Sequence, residues 1–320
     1  MKKTLFTLLT LFLFTAFMTG CLGDSTPKIG ISQYGEHASL DNCREGFIQG
    51  LIDSGLIEGE DFTIDYQNAG FDNAINTQIA QTFAANNVDL MVGIATPSAT
   101  ALYAATEGKD IPLVFTAITD PVEAKLDSGN VTGTSDKLPV DAQLELIREM
   151  QPNATTIGII YTTSEPNSIS AIAEYEAKAP DYGFTIDAIG VTQQSEVTLA
   201  ADTLISHNVD AFSNLTDNNV VGVLPSVLDK TNEASIPVYG SEIEQVKIGC
   251  VAAAGIDYFK LGIQTGEMAA KILSGQAKAT DIPYETIQEY SIYTNTKALA
   301  ELGMALRPSI EEKAVPVTLD

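Results

Sequence analysis

The strongest constraint on this chain is how short, continuously apolar runs alternate with stretches of helical period from residue 28 onward. The runs KIGISQ (28–33), DFTIDY (61–66), VDLMVGIA (88–95), IPLVFTAI (111–118), TIGIIYTT (156–163), FTIDAIGV (184–191), VDAFSNL (209–215), IPVYGS (236–241) and CVAAAGI (250–256) read as strands. Most lack the polar alternation of a half-exposed strand, as expected of parallel strands covered on both faces. Between them lie amphipathic helices. In LDNCREGFIQGLIDSG, Cys43, Phe47, Ile48 and Leu51 share one face, and in SEVTLAADTLISHN, Val197, Ala200, Ala201 and Leu204 do the same. The pattern is that of an α/β chain built from βαβ units.

The pattern also occurs twice. KIGIS at 28–32 matches TIGII at 156–160, VDLMVGIAT at 88–96 parallels VDAFSNLT at 209–216, and IPLVF at 111–115 parallels IPVYG at 236–240. The order is the same in both halves, so two Rossmann-like, doubly wound lobes of ordinary domain size are expected. A late return is expected too: DYFKLGIQTGEMAAKILSG reads as a strong amphipathic helix and YETIQEYSIYTN as a strand after it.

Composition narrows the function. A formal charge of -25 over 320 residues and a pI of about 4.2 exclude nucleic acid and anionic membrane surfaces as partners, since phosphate binding needs clustered Lys and Arg. Residues 1–20 combine a basic start, MKK, with the apolar run TLFTLLTLFLFTAFM and small residues before Cys21. This is a secretory signal with a lipoprotein-type cleavage site, and the run is shorter than the ~20 apolar residues of a spanning helix. Cys21 is the expected lipidation site, which makes the protein extracytoplasmic and anchored to the cell membrane through its lipid. Cys43 and Cys250 are too far apart in sequence for a disulfide framework or a metal spacing and read as buried free thiols. His37 and His207 are isolated, and no GxSxG, GxxxxGK, GxGxxG or HExxH motif occurs. No metal, no cofactor and no enzymatic activity are expected.

In open parallel sheets, ligands bind beyond the carboxyl ends of the strands. Equivalent strands of the two halves end at Thr96-Pro97-Ser98 and Thr216-Asp217-Asn218, which points to a cleft between the lobes. Pro97 suits a first helical turn, Thr96 or Ser98 can cap it, and the free N–H groups beyond form a small anion pocket that suits a carboxylate. Thr96 as a plain helix cap explains the same residues without a ligand.

The set QYGEHASLD, GIATPSATA, FTAITDPV, YTTSEPNS and IPVYGSE, followed by AAAGIDYFKLGIQTGEMAAKIL, resembles the ABC-importer substrate-binding protein family whose members include tryptophan and tyrosine binders. The resemblance spans essentially the whole mature chain. It implies a type I periplasmic-binding-protein fold, two lobes joined by three crossovers, with residues 27–134 plus 255–283 in the first lobe and 135–254 plus 284–320 in the second. It also implies a small amino-acid-like ligand, aromatic in some members, and an ABC permease in the membrane as partner. The ligand carboxylate would sit at Thr96, Pro97 and Ser98, near Gln33 and the Ser39-Leu40 turn. The ammonium group needs a fixed anion, for which Asp120, Asp217, Glu242 and Asp257 are candidates, Asp257 and Asp217 foremost. Each can instead cap a helix or start a turn. Asn167 should cap the second lobe's first helix and donate across the cleft, Asn218 stands beside Asp217, and Tyr34, Tyr161 and Tyr239 are the strand-end aromatics for the walls. Ala38 and Ser39 replace the His-Pro type turn common in the family, which leaves the substrate open. Replacing Asp217 or Asn167 by Ala is expected to weaken binding more than it lowers thermal stability. A ligand-sensing receptor subunit docking on a membrane signalling protein is the alternative on the same fold.

Overall fold

The computed structural model describes residues 26–287 and 289–317. The expected signal segment and lipidation site, residues 1–20 and Cys21, lie outside the described residues. The strands are β1 (Lys28–Gln33), β2 (Thr63–Asn68), β3 (Leu90–Ile94), β4 (Leu113–Thr116), β5 (Val131–Ser135), β6 (Thr156–Thr162), β7 (Thr185–Val191), β8 (Ala211–Ser213), β9 (Val238–Glu242), β10 (Ala252–Ile256), β11 (Glu285–Thr286), β12 (Ser291–Thr294) and β13 (Ala314–Pro316). The helices are α1 (Ala38–Asp53), α2 (Asn73–Ala85), α3 (Thr96–Ala105), α4 (Val140–Met150), α5 (Pro166–Lys178), α6 (Gln194–Ser206), α7 (Asn218–Gly222), α8 (Leu224–Glu233), α9 (Ile243–Ile248), α10 (Tyr258–Leu273), α11 (Thr296–Glu301) and α12 (Pro308–Glu311).

Two sheets form, one ordered β11-β5-β4-β3-β1-β2 and the other β13-β12-β10-β9-β8-β6-β7. Read from β1 and from β6, the first five strands of each half take the same spatial order, so the three sequence matches fall on structurally equivalent strands. Within each sheet these five strands pair in parallel. Ile29, Ile31, Leu90, Val92, Ile94 and Phe115 are fully buried in the first lobe, and Ile157, Ile159 and Ala211 in the second. Helices on both faces exclude water from these strands, which is why their sequences carry unbroken apolar runs. Cys43 and Cys250 are buried free thiols, and the Cys43 sulfur sits 3.0 Å from the Thr116 hydroxyl.

Three points differ from the sequence expectation. The second strand runs two residues later than DFTIDY, at Thr63–Asn68. Val131–Ser135, absent from the expected strands because Thr, Gly and Ser dilute its apolar character, is a fully buried strand of the first sheet. The segment expected as one strand over 284–295 divides: β11 pairs with β5 of the first sheet, whereas β12 pairs antiparallel with β10 of the second. The first lobe therefore keeps residues 285–286, and the chain returns to the second lobe only after them. With the passages after β5 and between β10 and α10, this makes three crossings.

Helix α10 begins next to the end of β10 yet packs along α1 of the first lobe. Small residues make this possible. A Cβ on Gly46 would stand 2.1 Å from the Phe259 carbonyl oxygen, and one on Gly262 would stand 2.2 Å from that of Cys43. Gly50 and Gly266 repeat the contact one turn along. This backbone-on-backbone approach fixes where α1 and α10 begin, and both starts border the space between the lobes.

Candidate interlobe binding site

The carboxyl ends of the two sheets face each other, and side-chain pairs join them. Ser39 donates to Glu242 at 2.9 Å, Asn42 to Glu244 at 2.7 Å and Ser170 to Asp120 at 2.8 Å, while the Thr119 and Thr216 hydroxyls are 3.0 Å apart. Between them is a narrow enclosed space, lined by His37, Leu40, Asp136 and Tyr258 on one side and by Asn218 and Val221 on the other. Its volume is about 10 Å³, room for roughly one water molecule, so a ligand enters only when the lobes part. Beside it, Tyr34, Asn76 and Pro97 of the first lobe face Glu165 and Pro166 of the second across an outer groove. Neither lining contains a Lys or Arg side chain.

The local backbone is built for this exposure. Ala95 and Ala117, which follow β3 and β4, hold φ of 76° and 58°, a left-handed conformation that costs a non-glycine residue energy and clusters at functional sites. Helices α1, α3 and α5 start at His37, Ala95 and Glu165 without a side-chain cap. Their first-turn N–H groups have no partner within the helix and carry the positive end of its dipole.

Burial dominates the electrostatics. It pushes Glu165 up to about 8, with the nearby Asp217 charge adding to the effect, and Glu242 up to about 7. Burial also raises Asp217 and Asp136. His37 is driven down to about 4 by the same cause, the Asn218 side chain partly opposing it. Neither ring nitrogen of His37 has a well-formed hydrogen bond, and its ring stacks on Phe71 at 6.5 Å with a 6° interplanar angle, with Tyr34 edge-on to the same ring at 5.8 Å.

The expected residues divide among different settings. Ser39, Leu40, Asn218 and Glu242 line the enclosed space, and Pro97 the outer groove. Thr96 is buried with its hydroxyl unpartnered, whereas Ser98 donates to Asn76 at 3.0 Å. Asn167 donates to Glu165 and to the Thr216 carbonyl, each at 3.1 Å, and its carbonyl oxygen is left without a partner. Asp120 spans the lobes through Ser170.

Other expected residues are engaged elsewhere. Gln33 is committed to a local network, donating to Asp41 at 2.9 Å and accepting from Arg44 at 2.9 Å. Asp217 caps α7 and takes donors on both oxygens: Thr162 and Val220 on one, Thr162 N–H and Ser168 on the other. No free oxygen remains for an ammonium group. Asp257 caps α10 and borders a separate cavity with Thr286, Ile287 and Tyr293; it is not among the residues that line the enclosed space. Tyr239 is buried in the second lobe's core.

Among the ionisable groups that line the two spaces, His37, Asp136, Glu165 and Tyr258 escaped the sequence reading. His37 was legible in principle from its place inside QYGEHASLD. Asp136 follows the strand whose small residues hid it.

A protein-family model described as ABC transporter substrate binding protein matches residues 28–318. The tyrosine-binding protein of Clostridioides difficile is 42% identical over 283 residues, covering 87% of this chain and 81% of that protein. The solved structure of an ABC domain in complex with L-Trp from Streptococcus pneumonia is 35% identical and superposes with a TM-score of 0.88, covering 92% of this chain and 100% of that one. The ligand-free, open structure of a substrate-binding protein with adhesive properties from Clostridium difficile, 39% identical at the same coverage, superposes with a TM-score of only 0.66. Higher identity with poorer superposition puts the difference in how the lobes are set, and the lobes here stand as in the tryptophan complex.

Proposed function

The chain belongs to the ABC transporter substrate-binding protein family, whose members bind small molecules outside the cytoplasm, and on that premise we propose that it captures a free aromatic amino acid between its lobes. The observation that carries this reading is the enclosed space at the carboxyl ends of both sheets, lined from both lobes and free of cationic side chains. Uncapped N–H groups at the starts of α1 and α3 suit a carboxylate. The His37, Phe71 and Tyr34 rings beside the cleft suit a planar side chain. The relatives' tyrosine and L-Trp ligands favour the same class.

The mechanism follows from the closed arrangement. Ligand enters while the lobes are apart, touches both walls, and favours closure by its differential affinity for the closed state. Closure completes the Ser39–Glu242 and Thr119–Thr216 pairs, which exist only when both lobes contribute. A membrane permease then takes up the closed form and releases the amino acid inward. Cys21 would carry the lipid that keeps the protein at the membrane.

Calorimetric titration with L-tyrosine, L-tryptophan, L-phenylalanine and L-leucine tests the ligand class. Micromolar or tighter binding of an aromatic member, with leucine weaker, is expected. Absence of heat with every aromatic amino acid overturns the proposal. Loss of labelled amino-acid uptake on deleting the gene, and release of a Cys21→Ala variant from cells, test the transport and anchoring steps.

A further inference from the structure

Each buried acid around the cleft can be taken oxygen by oxygen. Glu165 accepts from Asn167 and from both the backbone and side-chain amides of Asn218 on one oxygen, and from Asn219 on the other. Glu242 accepts from Ser39 and Gln245 N–H on one oxygen and from Glu244 N–H on the other. Asp217 has donors on both, as described above. Asp136 differs. One oxygen accepts from the Tyr258 hydroxyl, while the other, Oδ1, is buried without a well-formed hydrogen bond. The Thr119 hydroxyl, 3.0 Å from that of Thr216, reaches Asp136 as a weak donor that partly offsets the effect of burial. Asp136 is 2% exposed, lines the enclosed space, and takes part in no ion pair among the described residues.

A carboxylate out of water without a cation is costly, and buried charges are ordinarily paired. From an Oδ1 buried without a well-formed hydrogen bond on an acid that has no ion pair, we infer that Asp136, held by Tyr258, is the counter-ion for the ligand's α-ammonium group. This deepens the reading of an amino-acid ligand and rests on it. Asp136 and the start of α1 at Ser39 and Leu40 line one space, so a single small zwitterion, admitted as the lobes part, can place its ammonium against the one and its carboxylate against the other. Burial raises the Asp136 pKa, and an ammonium at Oδ1 favours the ionised carboxylate. Tyr258 opens α10, which is held on α1 by the glycine contact, so both poles of the receptor are set by one helix pair.

The test is calorimetry on wild type and Asp136→Asn with two probes: L-tyrosine, and 3-(4-hydroxyphenyl)propanoate, the same molecule without its amine. Wild type should bind tyrosine at least about 100-fold more tightly than the amine-free acid, as removing one partner of a buried charge pair costs. The variant should lose about 100-fold on tyrosine and change little toward the acid, so that the discrimination collapses. Equal wild-type affinity for both probes overturns the assignment without need of the variant. A variant that keeps the discrimination, or loses both probes equally, overturns it while leaving the aromatic amino-acid reading intact. If wild type binds no aromatic amino acid, both fall together.

Discussion

The Ser39 hydroxyl and the Glu242 carboxylate stand 203 residues apart in sequence, on opposite lobes, and meet in a buried hydrogen bond of 2.9 Å. Ser39 sits in the first turn of α1 and Glu242 caps α9. The bond is therefore a direct reporter of closure: it cannot exist while the lobes are apart. Replacing Ser39 by Ala should remove about 1 kcal/mol from the closed state, weakening tyrosine about fivefold. Calorimetry measures the affinity, and thermal unfolding of the ligand-free protein should change less.

Glu242 also gives the protein a pH dependence of predictable sign. Burial lifts its carboxyl from 4.5 to about 7, so the folded state holds this proton more tightly than the unfolded chain. The contribution is fully present below about 4.5 and is lost as pH rises through about 7. Melting temperatures between pH 5 and 8 should fall less steeply in Glu242→Gln than in wild type.

Asp217 should behave as a structural residue. Removing it strands the Thr162, Ser168 and Val220 donors in a buried setting, at about 2–4 kcal/mol. Chemical denaturation of Asp217→Ala should show this loss, with tyrosine affinity of the folded fraction changed by less than its stability. The sequence expectation ran the other way because a helix-capping acid and a ligand-binding acid look identical as residues. Only the count of donors on its oxygens separates them.

Much of the architecture was legible, and the illegible parts have physical causes. Parallel strands covered on both faces must be apolar throughout, so KIGIS, VDLMVGIA and TIGII announce themselves, and the repeated order gave two lobes. The strand VTGTS carries its burial through small and hydroxyl side chains; Thr134 and Thr116 exchange a hydrogen bond at 3.2 Å. Nothing in its periodicity separates it from a linker, and with it Asp136 went unseen. The site was legible in its position at strand ends, where Ser39, Leu40, Pro97 and Glu242 border the cleft or its outer groove. The settings of its acids were not legible, because which donors reach each carboxyl oxygen depends on partners far away in sequence.

The contact of α1 on α10 predicts a severe small-to-large effect. A methyl group on Gly46 would meet the Phe259 carbonyl oxygen at 2.1 Å, and backbone cannot swing aside as a side-chain end can. Gly46→Ala should destabilise the protein by at least about 2 kcal/mol. It should also weaken ligand binding, because the starts of α1 and α10 shift with the helices. Denaturant titration and calorimetry on the same preparation check both effects.

The most direct measurement is a crystal structure of the protein grown with L-tyrosine. The account predicts the amino acid enclosed between Leu40 and Val221, its ammonium within hydrogen-bond distance of Asp136 and the Ser39–Glu242 bond in place. Tyrosine bound outside the interlobe space, or a cleft that stays empty at saturating tyrosine, would contradict it.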